Sequence, residues 1–328
     1  MLNLDGLKIN SQVFVAPMAG VTDYPYRQIL REFGAEVLFT EMVSSQGLVQ
    51  GNRRTRKLIH FNRQTGVEEG KIGVQLFGAD PDIMAEAATI VEAEYQPDLI
   101  DINMGCPARK IVNSGYGSAL LQKPAKAARV TEAVVQAVNL PVTVKIRLGW
   151  DEENITADEI TEAAVEAGAS AVAIHGRTRK QFYSGEADWQ AIARIASSCE
   201  VPVIGNGDIF SAEDAREMLA ETSCAGIMLA RGIQGNPWLV KESRVFLEEG
   251  KKLTPPGAGD KISIALKHLD KAIEFYGEKK AIPLMRKHLA WYIKGLSHAS
   301  KVRNRINKME QQQDMRNLLL NYKNYLED

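Results

Sequence analysis

Eight short apolar runs lie along the first 250 residues, and each is followed by a more polar stretch. Near-continuous apolar runs of this length are typical of buried parallel strands. In the stretch 81–94, Ile83, Ala87 and Ile90 recur at helical intervals; the stretch 125–138 has the same spacing, and Ser211 is the expected N-cap of a later helix. The runs that predict strands are 13–16, 37–39, 72–76, 99–102, 142–146, 171–174, 201–204 and 226–229.

This alternation of strands and helices predicts an α/β fold, a (β/α)8 TIM barrel. Eight such units in about 250 residues match the usual size of that barrel. A doubly wound open sheet is the alternative, but no G-x-G-x-x-G sequence follows the first strand. Ahead of that strand, residues 4–9 predict a small hairpin that turns at Asp5 and Gly6.

A different organisation begins after the eighth unit. Residues 254–259 are rich in proline and glycine and predict a linker, beyond which no run predicts a strand. Helical spacing covers 261–276, 279–296 and 309–326. We therefore predict a catalytic barrel domain over residues 1–250, a linker over 251–259 and a small all-helical domain over 260–328.

Charge is divided unevenly between these parts. The whole chain has a net charge of −1, but residues 251–328 carry 16 Lys and Arg against 8 Asp and Glu, leaving a net of −9 for the rest. Between Lys279 and Lys308 there are nine basic residues and no acidic one, interleaved with Trp291 and Tyr292. A solvated helix face is the ordinary explanation, but ordinary surfaces mix signs. The pattern therefore favours a polyanionic partner for the helical domain.

Composition narrows the class of protein further. No apolar run approaches the roughly 18 residues that a membrane helix needs. The three cysteines, Cys106, Cys199 and Cys224, are too scattered for a disulfide framework, and no His/Cys spacing suggests a metal site. The first residues have neither a basic start nor an apolar signal core. We expect a cytoplasmic protein that contacts no membrane and holds no metal.

Chemistry in such barrels is carried at the C-terminal ends of the strands. Cys106 stands there between Gly105 and Pro107, directly after the fourth strand, on a tightly turned backbone. Free cysteines are more often small buried hydrophobes, but this position favours a functional one.

The loops after strands seven and eight form the usual phosphate site of this fold. Gly207 and Gly232 let backbone N–H groups approach an anion, and Arg231 adds positive charge. Two glycine turns beside a surface arginine are the simpler explanation for each loop alone. The two loops together favour a ligand that carries phosphate.

Two further strand-end residues have open roles. Lys145 lies within the fifth strand, where a lysine aimed into the barrel needs an anionic or electron-rich partner. It could face a reduced flavin ring, act as a Schiff-base nucleophile, or extend its ammonium to solvent from the strand end. His175, at the end of the sixth strand, could contact a cofactor or be a satisfied hydrogen-bonding residue.

Six short motifs together resemble the tRNA-dihydrouridine synthases, most closely the bacterial B-type branch, over nearly the whole chain. Alanine at position 230 departs from the glycine that many relatives have before the arginine. The motifs are Ala16-Pro-Met-Ala-Gly20, Asn103-Met-Gly-Cys-Pro107, Lys145-Ile-Arg147, His175-Gly-Arg-Thr178, Asn206-Gly-Asp208 and Ala230-Arg-Gly232.

The resemblance implies a monomeric enzyme with FMN that reduces the C5–C6 double bond of D-loop uridines in tRNA, with NADPH as reductant. It implies Cys106 as the proton donor, and Asn103 and Arg177 as residues that help hold the uracil. Arg286, Lys287, Arg303 and Arg305 are then candidate phosphate contacts for tRNA. The residues implied to hold FMN are Pro17, Met18, Ala19, Gln75, Lys145, His175, Asn206, Gly207, Asp208, Ala230 and Arg231.

The residue types suit this chemistry, because a thiol with an ordinary pKa near 8.5 is mostly protonated at pH 7 yet acidic enough to give up its proton.

Three alternative functions remain open. A Schiff-base lyase would use Lys145 as nucleophile. A flavin reductase of a free pyrimidine or dihydroorotate-type substrate would not need the basic helical domain. An RNA-binding module without chemistry would not need Cys106 and Lys145.

Overall fold

A computed structural model describes residues 2–61 and 70–327 of the chain. Within them, eight parallel strands form a closed barrel, which confirms the predicted fold. Barrel strands and the other strands are numbered together along the chain. They are β1 (Leu2–Leu4), β2 (Leu7–Ile9), β3 (Val13–Val15), β4 (Val37–Phe39), β5 (Val43–Ser44), β6 (Lys71–Phe77), β7 (Leu99–Met104), β8 (Val142–Arg147), β9 (Gly149–Asp151), β10 (Asn154–Ile155), β11 (Ala171–His175), β12 (Val203–Asn206) and β13 (Gly226–Leu229).

The barrel closes because β4 pairs with both β3 and β6. Around the ring the strands follow the order β3, β4, β6, β7, β8, β11, β12 and β13, and β13 pairs back to β3. All of these pairings are parallel, so the C-terminal ends of the eight strands meet at one face. That face is where the fold places its functional loops.

Helices surround the barrel and continue beyond it. Ser211 caps α9 in a capping box with Asp214, as its sequence predicts. The helices are α1 (Tyr24–Glu32), α2 (Ser45–Val49), α3 (Arg53–Arg56), α4 (Pro81–Tyr95), α5 (Arg109–Asn113), α6 (Pro124–Ala137), α7 (Ala157–Glu166), α8 (Trp189–Ser198), α9 (Ala212–Thr222), α10 (Trp238–Glu249), α11 (Ala258–Tyr276), α12 (Glu278–Tyr292), α13 (Ala299–Ile306) and α14 (Gln312–Glu327), with short 3-10 helices at Lys57–Ile59, Gly117–Gln122 and Arg231–Ile233.

The N-terminal hairpin forms as predicted. Asp5 and Gly6 both have positive φ, 46° and 91°, which is the backbone of a type I′ turn between β1 and β2. Its apolar side chains share a buried cluster with Val37, Leu99 and Ala171, each the first residue of its strand. The hairpin therefore covers the N-terminal end of the barrel, opposite the functional face.

Several boundaries differ from the sequence prediction. The seventh barrel strand begins at Val203 rather than at 201, because Pro202 has no N–H to donate to the ladder. It ends at Asn206, so this residue is part of the strand. The region after the linker holds a fourth helix, α13, whose eight residues include only two large apolar side chains, Val302 and Ile306, on its buried face. The hairpin formed by β9 and β10 was also not predicted.

The C-terminal helices pack against α1 and the loop after β13. Tyr26 on α1 stacks on His268 of α11, with ring centroids 4.9 Å apart, and donates its hydroxyl to Ile233 O. Gly235 has a φ of +70°, and a Cβ there would lie 2.4 Å from the backbone of Trp291. Only glycine permits this approach of the barrel loop to α12. The division into separate domains stays a prediction.

Candidate active site

A cavity of about 400 Å³ opens at the C-terminal ends of the barrel strands. It brings together residues from the ends of all eight barrel strands or the loops that follow them, with Met42 from the second. Arg177 and the four basic residues of the helical region do not line it. The predicted site residues that do are Pro17, Met18, Ala19, Gln75, Asn103, Cys106, Lys145, His175, Asn206, Gly207, Asp208, Ala230 and Arg231.

The backbone around Cys106 is held from three sides. Asn103 Oδ1 accepts the backbone N–H groups of Gly105 and Cys106, at 3.2 and 2.9 Å. Arg147 Nε donates to Gly105 O over 3.0 Å, and Ser118 N donates to Cys106 O over 3.1 Å. These contacts fix the thiol at the wall of the cavity.

Gly117 makes this loop possible. Its φ is +58°, and a Cβ at this position would lie 2.8 Å from Cys106 O. Glycine is therefore required at position 117 for the chain to pass so close to the backbone of Cys106.

The Cys106 thiol is favoured over its thiolate. Burial raises its pKa, against smaller lowering contributions from the Ala108 backbone N–H and the Arg147 guanidinium. A raised pKa is the reverse of what a nucleophilic cysteine needs. It suits a group that must carry a proton at neutral pH.

A chain of hydrogen bonds runs beneath the cavity. Gln75 Oε1 accepts from Asn103 Nδ2 over 2.8 Å, and Gln75 Nε2 donates to Asp101 Oδ2 over 2.6 Å. Thr143 Oγ1 donates to Asp101 Oδ1, also over 2.6 Å. Asp101 and Thr143 lie inside strands, and each gives no motif in the sequence beyond a polar residue in an apolar run.

Lys145 extends into the barrel rather than to solvent. Its Nζ donates to Asn206 Oδ1 over 2.9 Å, and Asn206 Nδ2 donates to Met228 O over 2.7 Å. Burial and the nearby Arg147 lower the pKa of Lys145 to about 8, although Asp101 opposes the shift. The lysine therefore supplies a positive charge at neutral pH that a ligand in the cavity can meet.

His175 has unused hydrogen-bonding capacity. Among the residues that the structure describes, its buried Nε2 has no hydrogen-bond partner. Burial lowers the pKa of His175 well below its usual value, and the cations Arg147, Lys145, Arg177 and Arg231 lower it further. A neutral imidazole with a free nitrogen, facing several cations, fits an anionic or carbonyl-bearing ligand.

Asp208 joins two arginines at the edge of the cavity. Its carboxylate bonds to Arg177 Nη2 at 2.6 Å and to Arg231 Nη2 at 2.8 Å, and these contacts outweigh burial and lower its pKa. Arg177 also donates to Ser184 O and Gly185 O, at 3.0 and 2.5 Å. Arg177 thus holds the loop after β11, and its direct contact with uracil stays a prediction.

Position 230 tolerates alanine. Its φ of −131° lies outside the left-handed region, so the Cβ carries no positive-φ strain. The departure from glycine at this motif therefore places no Cβ at a positive φ.

An aromatic rim that the motifs do not predict borders the cavity. Phe182, Tyr183 and Phe210 line it and are 41%, 50% and 51% exposed. The Arg231 guanidinium lies 4.9 Å from the Tyr183 ring centre and 5.6 Å from that of Phe210. The adjacent aromatic pair at 182–183 was the available signal. Exposed rings beside a cation form a surface on which a planar base can stack.

The four basic candidates of the helical region differ in their surroundings. Arg286 donates to Met309 O over 2.7 Å and ties α12 to the segment after α13. Lys287 is exposed, and its Nζ would lie 2.9 Å from a Cβ on Gly20, in the loop that lines the cavity. Arg303 and Arg305 are exposed on α13. The basic surface thus reaches the cavity rim at Lys287.

A second basic segment lies on the barrel. Arg53, Arg54 and Lys57 are exposed in and after α3, and His60, three residues further on, packs 4.8 Å from Phe275 of α11. Four basic residues within positions 53–57 were the sequence signal for it. This segment adjoins the helical region and adds to its positive surface.

The described residues offer neither a cluster of metal ligands nor a membrane-spanning helix. Within residues 2–61 and 70–327, no group of three or more His, Cys, Asp or Glu side chains is placed to hold a metal ion. In the same part of the chain, no helix is both long and apolar enough to cross a membrane.

Comparisons with known proteins agree on one family. The family described as "Dihydrouridine synthase (Dus)" matches residues 14–327. A "tRNA-dihydrouridine synthase B" of Pseudomonas aeruginosa is 41% identical over 301 residues, 92% of this chain and 89% of that protein. One of the same name from Pasteurella multocida is 39% identical over 90% of this chain and 87% of its own length. A "Probable tRNA-dihydrouridine synthase" of Rickettsia bellii is 37% identical over 94% of both chains.

Proposed function

The chain belongs to the dihydrouridine synthase family, and we propose that it reduces the C5–C6 double bond of specific D-loop uridines in tRNA, with FMN as cofactor and NADPH as reductant. The observation that carries the proposal is that Cys106, Lys145 and His175 face one cavity at the functional end of the barrel, and that His175 Nε2 has no hydrogen-bond partner among the described residues. A cytoplasmic location and a monomeric state are part of the proposal.

The cavity suits a flavin phosphate and ring. The Nε2 of His175 and the guanidinium of Arg231 are the groups we assign to the phosphate, together with the backbone at Gly207. Lys145 is assigned to the ring, where its charge would stabilise the anionic reduced form. Gln75, Asn206 and the loop Pro17–Ala19 line the rest of the cavity and are assigned to the ring edge and its support.

When bound, the flavin supplies the hydride that goes to C6 of the uracil. Cys106 then donates the thiol proton to C5, which completes the saturated bond, and the thiolate regains a proton from solvent. Its raised pKa keeps the thiol protonated before the step. Overall, uridine, NADPH and one proton become dihydrouridine and NADP⁺.

The target base must leave its stack to enter the cavity, at an energetic cost of a few kcal/mol that is smaller in a loop than in a paired stem. Asn103, held over Cys106, is assigned to the uracil edge. Tyr183 and Phe210 would stack on a base at the cavity mouth. The exposed Lys287, Arg303 and Arg305 are assigned to phosphates, with Arg53 and Arg54 as additional contacts.

One observation also supports a second function. The pKa of Lys145, lowered to about 8, is also what a Schiff-base lysine requires. The Schiff-base alternative has a simple test, because borohydride would trap a covalent adduct of substrate on Lys145. The flavin proposal expects no such adduct.

The proposal is tested by nucleoside mass analysis of tRNA from a strain lacking the gene. We expect loss of dihydrouridine at one or more D-loop positions, restored by the wild-type gene but not by Cys106→Ala. A full dihydrouridine complement in the deletion strain, with no other synthase present, would overturn it.

A further inference from the structure

The hydrogen bonds beneath the cavity have a fixed direction. An ionised Asp101 can only accept hydrogen bonds, so Gln75 must turn its Nε2 towards it. Gln75 Oε1 then faces Asn103 and accepts from its Nδ2. This leaves Asn103 Oδ1 as the atom that faces the backbone N–H groups of Gly105 and Cys106.

The same chain determines what the cavity presents to its ligands. Gln75 and Asn103 both line the cavity, and each amide would offer a donor in place of an acceptor if its plane turned by 180°. Neither amide can turn alone without facing oxygen to oxygen or nitrogen to nitrogen. Asp101, 1% exposed and held on its other oxygen by Thr143, is the one ionic member and sets the direction for all the others.

We propose that Asp101 is a positioning residue, which through Gln75 fixes the amide of Asn103 and thereby the loop that presents the Cys106 thiol. Its importance for dihydrouridine formation rests on the proposed function; its effect on the loop does not. Asp101 does not line the cavity, so it acts only through its neighbours.

Two substitutions separate the role of the acceptor from that of the charge. Asp101→Asn and Asp101→Val both remove the negative charge near Lys145. Asn can still direct its oxygen to Gln75, because the Thr143 hydroxyl can accept from the new amide nitrogen. Val has no acceptor. Any difference between the two variants therefore measures the effect of losing the hydrogen-bond acceptor at position 101.

Amide hydrogen exchange gives a readout that does not depend on activity. In Asp101→Val we expect exchange at Gly105 and Cys106 to become roughly two- to tenfold faster than in Asp101→Asn, the range for one net hydrogen bond. Exchange at Val144 and Ile146, in the neighbouring strand β8, should be equal in both variants. A general loss of stability would instead accelerate all four amides.

The two halves of the reaction give a second readout. NADPH-driven reduction of the bound flavin should differ by less than about twofold between Asn and Val, since both lack the charge. Dihydrouridine formation should be about tenfold slower in Val, the effect of one misplaced hydrogen-bonding group. If the wild-type protein forms no dihydrouridine, the proposed function fails, and the exchange experiment still tests the role of Asp101.

Equal exchange at Gly105 and Cys106 in the two variants would overturn the proposal. If Asp101→Val does not fold, Gln75→Leu breaks the chain one step later and must give the same acceleration at these two amides. Thr143→Val is the matched control, because it removes a partner of Asp101 on the side away from Gln75 and should leave both amides unchanged.

Discussion

The Lys145 ammonium donates to Asn206 Oδ1 over 2.9 Å and so joins β8 to β12 across the strand between them, β11. The lysine is thereby held with its charge inside the cavity. A positive charge at this place favours an anionic ligand.

Removal of this charge should make the bound flavin harder to reduce. We expect Lys145→Met to lower the flavin midpoint potential, because the anionic reduced ring would lose the cation that we assign to it. The wild-type pKa of about 8 adds a pH dependence: above it the ammonium loses its proton and the wild-type potential should approach that of the variant. Redox titration from pH 6 to 9 measures both effects. Equal potentials at pH 6 would contradict the assignment.

Removal of exposed basic residues should weaken tRNA binding in a salt-dependent way. If Lys287, Arg303 and Arg305 each contact a phosphate, replacing all three with Gln should lower the slope of log affinity against log salt by roughly 2 to 3, at 0.7–0.9 per contact. Filter binding over a salt series measures it. Lys8→Gln is the control, since Lys8 is exposed on the hairpin at the opposite end of the barrel. A slope that stays constant would assign tRNA binding to the barrel loops.

Gly235 should be critical for packing of the helical region. Gly235→Ala places a Cβ 2.4 Å from the Trp291 backbone at a φ of +70°, so we expect a loss of about 1–3 kcal/mol in the free energy of unfolding. Gly250→Ala is a matched control, because Gly250 has a φ of +69° and no atom within 4 Å of the new Cβ. Urea titration of both variants separates the clash from the backbone strain. Equal losses would show that the close approach does not matter.

Asp101 should make the protein less stable as pH rises. Burial raises its pKa from 3.8 to about 6, despite Thr143, Gln75 and Lys145, so the folded state binds more protons than the unfolded state between these values. The free energy of unfolding should therefore fall as pH rises from about 4 to 6. In Asp101→Asn this contribution is absent, and the fall should be smaller. Urea midpoints at several pH values test it; identical slopes would contradict it.

The sequence was sufficient to predict the barrel, because its strands are apolar runs and its helices have apolar residues at helical spacing. The sequence was also sufficient to predict which residues line the cavity, since strand order in a barrel determines where strand ends meet. It missed α13, a short helix with only two large apolar residues, Val302 and Ile306. It also missed Asp101, whose role depends on neighbours from β6, β7 and β8. The sequence also could not show that Arg286 donates to Met309 O whereas its neighbour Lys287 is exposed.

The central claim is that the Cys106 thiol protonates the uracil, and one single-turnover experiment tests it most directly. Wild type and Cys106→Ala are loaded with FMN, reduced with NADPH and mixed without oxygen with tRNA that lacks dihydrouridine. We predict equal flavin reduction in both proteins and dihydrouridine formation at least about 10²-fold slower in the variant, the usual size of a general-acid contribution. Equal rates of dihydrouridine formation would contradict the account.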